Sequence, residues 1–256
     1  MNKKLYVSQL FEDNKIISVL NDNNIGIEII EFGIGDVLDK GDKAVEDYMV
    51  RMKDFIENRP ISIHGPFLDL NPASFDSLIK KVTLLRYNEA YNIAKILNGD
   101  RIVFHSCYLD NIYFKEAYIN NSISFWNEFF EQKDDDIKVH IENVYDKDPS
   151  HLIEIIDGVN QNNFSVCLDI GHVNCYGDED LENWILKLGK RIGHVHLHNN
   201  NGLSDTHSGL KNGNINIESI LNLIDNCCDN PSMTIEVNNI DEIEEFILSL
   251  VNRYAK

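Results

Sequence analysis

Two hydrophobic rhythms alternate along this chain. Short runs rich in Val and Ile recur between longer stretches in which apolar residues return every three or four positions. The first rhythm predicts buried strands and the second amphipathic helices. The strand-like runs are KLYVSQL (4–10), IGIEIIEF (25–32), ISIHGP (61–66), RIVFHS (101–106), KVHIENV (138–144), SVCLDIGH (165–172), IGHVHLHN (192–199) and MTIEVNN (233–239). Helices fit between them at about 12–22, 43–58, 74–97, 114–131, 149–160, 179–189, 216–226 and 241–254. Gly99 follows the third helix as a C-terminal cap, and Ser150 and Asp241 stand where helices start. Eight strand–helix pairs in strict alternation predict an α/β fold, a closed parallel (β/α)8 barrel rather than an open sheet. A chain of 256 residues is the usual size for one such barrel, so residues 1–256 read as a single domain. No linker, solenoid repeat or low-complexity tract interrupts it.

The polar residues at the ends of these runs change the picture. They are His64, His105, Glu142, Asp169, His172, His196, Asp205, His207 and Glu236. A parallel barrel gathers the C-terminal ends of its strands around one mouth, so these residues are expected to meet there. A single strand-end His is more often a hydrogen-bonded structural residue than a ligand. Together the set is hard to explain as packing, because buried carboxylates are costly without cations. Mixed imidazole and carboxylate donors point to a divalent transition metal: zinc, manganese, iron or cobalt. Glu142, Asp169, His196 and Glu236, from neighbouring strands five to eight, form the minimal site. His140, His194 and His198 share strand faces with Glu142 and His196, and read as an inner layer or as substrate contacts. His151 opens a helix and is expected to face solvent. Two long loops, GPFLDLNPAS after strand three and NNNGLSDTHSGLKNGN after strand seven, project over the mouth.

Charge and composition narrow the partners. A net charge of -19 repels polyanions, so nucleic acid is not an expected partner and a small molecule is. The stretch FGIGDVLDKGDK after strand two is acidic over 36–42, and Lys211 is the one cation of the strand-seven loop. Five cysteines, at 107, 167, 175, 227 and 228, form no CxxC pair and argue against a disulfide framework. Cys107 and Cys167 read as core residues inside apolar strands, and the Cys227–Cys228 pair at a helix end reads as packed. The start, MNKKLYVSQLFED, lacks the apolar stretch of a signal peptide, and no segment is long enough to span a membrane. The cytoplasm is the expected compartment; the sequence carries no reading of oligomeric state.

The segments HGPFLDLNPAS, IENV, CLDIGH, HVHLHN, DTHSGLKNGNI and IEV, in this order, resemble the xylose-isomerase-like TIM barrel superfamily, which holds endonuclease IV and many sugar isomerases and epimerases. The resemblance covers nearly the whole chain. It implies a metal site of Glu142, Asp169, His196 and Glu236, and all nine positions match the ligand types of the endonuclease IV trinuclear zinc site, which implies one to three ions per chain. One implied function is a metal-dependent isomerase or epimerase of a small sugar, sugar phosphate or polyol. There Glu142 and Glu236 would move a proton α to a carbonyl and His172 would orient a substrate oxygen. Asp148 stands where ketose 3-epimerases carry a second Glu, whereas Gly202 replaces their usual Arg. The alternative is a multinuclear zinc phosphodiesterase acting on abasic DNA or a smaller phosphate ester, with Phe67 and Leu68 matching its duplex-inserting pair. A third is a barrel that binds metal or ligand without turnover. Phe67, Asp148, His198 and Lys211 are the expected substrate contacts.

Overall fold

Eight parallel strands close into a barrel in which each strand pairs with its neighbours in sequence and β1 pairs with β8. The computed structural model describes residues 3–20, 25–159 and 161–254. Residues 21–22 of the predicted helix at 12–22 and residue 160 of that at 149–160 lie outside the described residues. The first half runs β1 (Leu5–Ser8), α1 (Asp13–Leu20), β2 (Gly26–Ile29), α2 (Gly35–Leu38), α3 (Asp42–Ile56), β3 (Ile61–His64), α4 (Ser77–Ile96), β4 (Arg101–His105) and α5 (Lys115–Phe130). The second runs β5 (Lys138–Glu142), α6 (Ser150–Gly158), β6 (Phe164–Asp169), α7 (Ile170–Tyr176), α8 (Leu181–Leu188), β7 (Ile192–Leu197), α9 (Ile217–Cys227), β8 (Ser232–Ile235) and α10 (Ile240–Tyr254).

Local chemistry fixes the element ends. Asp76 caps α4 by accepting hydrogen bonds from the backbone N–H groups of Leu78 and Ile79. At the other end of α4 the left-handed residue is Asn98 (φ 56°), not Gly99 as the sequence suggested. The Gly99 N–H reaches the Ala94 carbonyl at 2.8 Å and the Asn98 N–H that of Lys95 at 3.1 Å, which closes the last turn. The strands are shorter than their apolar runs, because each run continues past the last ladder bond into the loop over the mouth. The run through His172 is the clearest case. Asp169 ends β6 and its carboxylate accepts the His172 N–H at 2.7 Å, so the chain turns directly into α7. The acidic stretch at 36–42 likewise takes in most of α2 and the first residue of α3. Cys107 is not in a strand: it lies two residues beyond β4 at φ 61° and donates its thiol to the Leu70 carbonyl at 3.3 Å.

Alternation along the strands sends apolar and polar residues to opposite faces. On β5, Val139 and Ile141 join the apolar layer beneath the helices, together with Trp126, Phe129 and Phe164. The residues between them face the barrel axis, and these are polar. Glu28 of β2 meets His196 of β7 at 3.0 Å, a contact between strands that are not neighbours and that passes through the interior. Lower down, Arg101 of β4 hydrogen-bonds Ser232 of β8 and, at 2.9 Å, the hydroxyl of Tyr6 on β1. His194 accepts or donates at Ser232 (2.6 Å) and Thr234 (2.9 Å), and His140 does so at Ser165 (2.8 Å). A hydrogen-bonded column therefore occupies the axis that branched apolar side chains commonly fill in such barrels.

Candidate metal centre

Register brings the mouth residues together. Ladder pairing sets His105 of β4 directly beside Glu142 of β5, and Asp169 of β6 beside His196 of β7. Glu236 follows β8, with its N–H bonded to the Leu197 carbonyl at 3.0 Å. The loop after β7 folds back through paired backbone bonds between Asn199 and Ser208 (2.7 and 2.8 Å), which carries Asp205 and His207 over the opening.

Three donor groups result at the mouth among the described residues, in each of which one ligand atom per residue lies within 4.8 Å of all the others. The first is Glu142, Asp169, His196 and Glu236; the second is His64, His105 and Glu142; the third is His172, His198, Asp205 and His207. Glu142 belongs to two of them. All nine residues expected at the mouth are thus placed in these groups.

The ring orientations suit metal binding. His64, His172 and His207 each place Nδ1 2.9 Å from a backbone carbonyl, of Gly65, Asn143 and Glu236 respectively. A carbonyl can only accept, so each ring carries a proton on Nδ1, and Nε2, which faces a carboxylate, is the atom a metal would take in exchange for a second proton. Nε2 of His64 then stands 3.6 Å from Glu142, and those of His172 and His207 stand 3.2 and 3.0 Å from Asp205. His196 Nδ1 approaches Glu236 to 3.0 Å and Glu142 to 3.3 Å without making a hydrogen bond, and Glu142 Oε2 is also buried without a partner. Buried donor atoms that converge without pairing with one another are what a divalent cation would satisfy, and the residues fit one.

Electrostatics agree. Burial opposes ionisation of Glu142, but the charge of His196 and the close approach of His172 and His64 hold its pKa well below the usual carboxylate range. Asp169 and Glu236 are lowered in the same way against burial, chiefly by His172 and His196 respectively. Burial pulls His105 down to about 4, whereas at His207 the hydrogen bond to Asp205 and the charges of Glu236 and Asp169 together overcome burial and lift it to about 9. A buried group of ionised carboxylates requires nearby positive charge, from imidazolium or from metal ions. The thiol of Cys167 lies close to His194 and His196, and burial pushes its pKa up.

A cavity of about 260 Å³ opens above the first two donor groups, with His172, Asp205 and Glu236 among its walls and Phe67, Tyr145 and Tyr176 beside them. Phe67 stacks on His105 at 4.7 Å, as a substrate wall would. The other expected substrate contacts are elsewhere. Asp148 accepts the Ser150 N–H at 2.8 Å at the start of α6 and pairs with Lys115 at 3.3 Å, so helix capping occupies it. Lys211 projects into solvent and pairs with Glu245. His198 is fully buried beneath the cavity, 3.0 Å from Asp169 and stacked on His207 at 3.9 Å. His151, expected in solvent, is wholly buried 2.5 Å from Asp146, where it ties α6 to the loop after β5.

Glu28 was not among the expected site residues, although a charge inside the apolar run IGIEII was a visible signal. Its Oε2 accepts hydrogen bonds from Ser62 (2.7 Å) and Thr234 (2.9 Å), which leaves Oε1 facing His196 Nε2 at 3.0 Å. The charge of a carboxylate there would favour the His196 proton on Nε2 and leave Nδ1 for a metal. Glu28→Gln is expected to weaken metal binding by about 10–100-fold, the usual effect of losing such a partner, with the fold retained. Chelator competition and far-ultraviolet circular dichroism would check this; unchanged affinity would count against the role.

The Xylose isomerase-like TIM barrel family matches residues 23–250. An uncharacterised protein of Methanocaldococcus jannaschii is 31% identical over 225 residues, covering 80% of this chain and 75% of the relative. The crystal structure of a D-tagatose 3-epimerase-like protein aligns with a TM-score of 0.77 at 27% identity, over 99% of this chain and 100% of that one. A Thermus thermophilus protein soaked with zinc chloride aligns with a TM-score of 0.74 at 20% identity, over 99% of both chains, and speaks for the fold. This chain belongs to the Xylose isomerase-like TIM barrel family.

Proposed function

We propose that the protein is a divalent-metal-dependent isomerase or epimerase of a small sugar or polyol, working by proton transfer α to a carbonyl. The observation that carries this reading is the placement of Glu142 and Glu236, which approach His196 from opposite strand sides at 3.3 and 3.0 Å below the cavity. Two carboxylates so placed can remove a proton at one face of a carbon and deliver it at another. When bound, a divalent ion held by Glu142, Asp169, His196 and Glu236 would supply Lewis acidity to adjacent substrate oxygens. His172, locked by Asn143 and Asp205, orients a substrate hydroxyl at the cavity wall. The cavity is small by the standard of ligand sites, about 300–1,000 Å³, which suits a monosaccharide. The D-tagatose 3-epimerase-like structural relative supports the same chemistry.

A second reading, a multinuclear phosphodiesterase, is favoured by the linked donor groups, with Glu142 shared and His172, Asp205 and His207 forming a further set. Against it, the cavity walls carry no Lys or Arg among the described residues, so duplex phosphates would find no protein cation there. The test uses zinc- or manganese-loaded protein in two assays. Unphosphorylated ketoses in deuterated water should exchange a carbon-bound proton, read by NMR, while abasic duplex DNA at physiological salt should stay intact. Nicking of that DNA, lost in Glu142→Gln, with no exchange in any ketose, would replace the first reading by the second.

A further inference from the structure

Beside the metal cavity lies a second, larger hollow of about 490 Å³ that the proton-transfer chemistry leaves unused. The two share Phe67, His105, Val144 and Tyr145 as common walls, so a molecule seated at the metal end can continue into the annex without leaving the protein surface. Phe67 is the partition: it stacks on His105 at 4.7 Å and meets His64 edge-on at 5.3 Å, which fixes its ring between the polar and apolar spaces.

Beyond the partition the walls are apolar, formed chiefly by Leu68, Leu70, Ile79, Leu109 and Tyr113. The polar groups nearby already bond to one another. Asn71 donates to the Tyr113 hydroxyl at 2.8 Å and accepts the Ala73 N–H at 2.8 Å, and the Cys107 thiol is spent on the Leu70 carbonyl at 3.3 Å. Among the described residues no Lys or Arg lines either hollow, and Asp69 adds negative charge to the annex. A phosphate or carboxylate at that end would therefore be repelled. Leu68 and Ile79 are 59% and 43% exposed at the outer wall, apolar surface that an occupant would remove from water.

We propose that the substrate bears an uncharged aryl or branched alkyl substituent on the end remote from the metal, and that this annex is its binding site. The proposal rests on the isomerase or epimerase reading for the orientation of the polar end. It distinguishes this protein from an enzyme of bare or phosphorylated sugars: the preferred substrate is a sugar or polyol conjugated to an apolar group.

Calorimetry on the zinc-loaded protein tests it with three hydroxamates. Each chelates a divalent ion through two adjacent oxygens, as a hydroxy-carbonyl pair would, and they differ only in the tail. Acetohydroxamate has a methyl, 3-phenylpropanohydroxamate an aryl group and phosphonoacetohydroxamate an anion. The aryl probe should bind about 10–100-fold more tightly than acetohydroxamate, given the apolar area that a ring buries, and the anionic probe more weakly than either. Leu68→Asp and Ile79→Asp, both at exposed positions, should each reduce the aryl advantage and leave acetohydroxamate affinity unchanged. Equal affinity of the methyl and aryl probes, an aryl advantage that survives both substitutions, or tightest binding by the phosphonate would overturn the annex assignment and leave the metal chemistry standing. Failure of acetohydroxamate to bind the loaded protein would instead overturn the metal-site reading, and the annex assignment with it.

Discussion

Glu142→Ala is expected to cost the protein both its bound metal and its turnover. Glu142 is the one residue shared by the four-residue group and the His64–His105 group, so its loss leaves neither complete. Removing a direct donor should weaken metal binding by more than the roughly 10–100-fold seen for partners one step removed. Turnover should fall by at least about 10²–10⁴-fold from loss of the base alone. A third measurement separates these effects from misfolding. A ligand at 1,000 times its Kd stabilises the folded state by about 4 kcal/mol, so zinc should raise the melting temperature of the wild-type protein. Glu142→Ala should melt cooperatively without zinc and show little rise with it. A variant that kept full metal content and activity would sink the assignment of Glu142 to the centre.

Glu236→Gln is expected to separate chemistry from metal binding. Gln keeps a carbonyl oxygen as a weak donor but cannot accept a proton, so a large share of the metal should remain while turnover falls by roughly 10²–10⁴-fold. The effect belongs in kcat more than in KM, because the proton moves only in the chemical step. Proton exchange into ketose from deuterated water, followed on protein with verified metal content, reads this directly. Exchange at the wild-type rate would remove Glu236 from the proton-transfer pair, and loss of all metal would recast it as a ligand first.

Much of this was legible in the sequence, for a definite reason. Barrel closure turns sequence order into spatial order, so strand-end residues such as His105 and Glu142, 37 positions apart in the chain, must meet once the eight strands are recognised. What stayed hidden depended on contacts between strands that are not neighbours. Glu28 and His196 are brought together across the barrel, and neither strand's pattern foretells it. His151 was misread because the first turn of a helix usually faces solvent, whereas here Asp146 supplies a buried partner that only the loop path reveals. The family resemblance points to Asp148, and loop position to Lys211, as substrate contacts. Spacing along the chain does not fix side-chain direction beyond the strand end, and capping of α6 and the pair with Glu245 claim them instead.

The hydrogen-bonded column along the axis has a consequence for how the chain finds this fold. Apolar side chains tolerate many collapsed arrangements, since any apolar neighbour serves. Glu28, Ser62, Thr234, His194, Ser232, Arg101 and Tyr6 do not: their partners come from β1, β2, β3, β4, β7 and β8, which adjoin only when the first and last strands have paired. A collapsed chain with one strand slipped by a residue would turn its polar face toward the helices and bury those groups unpaired, at a cost of roughly 1–3 kcal/mol each. The axis thus penalises misregistered barrels relative to the correctly closed ring.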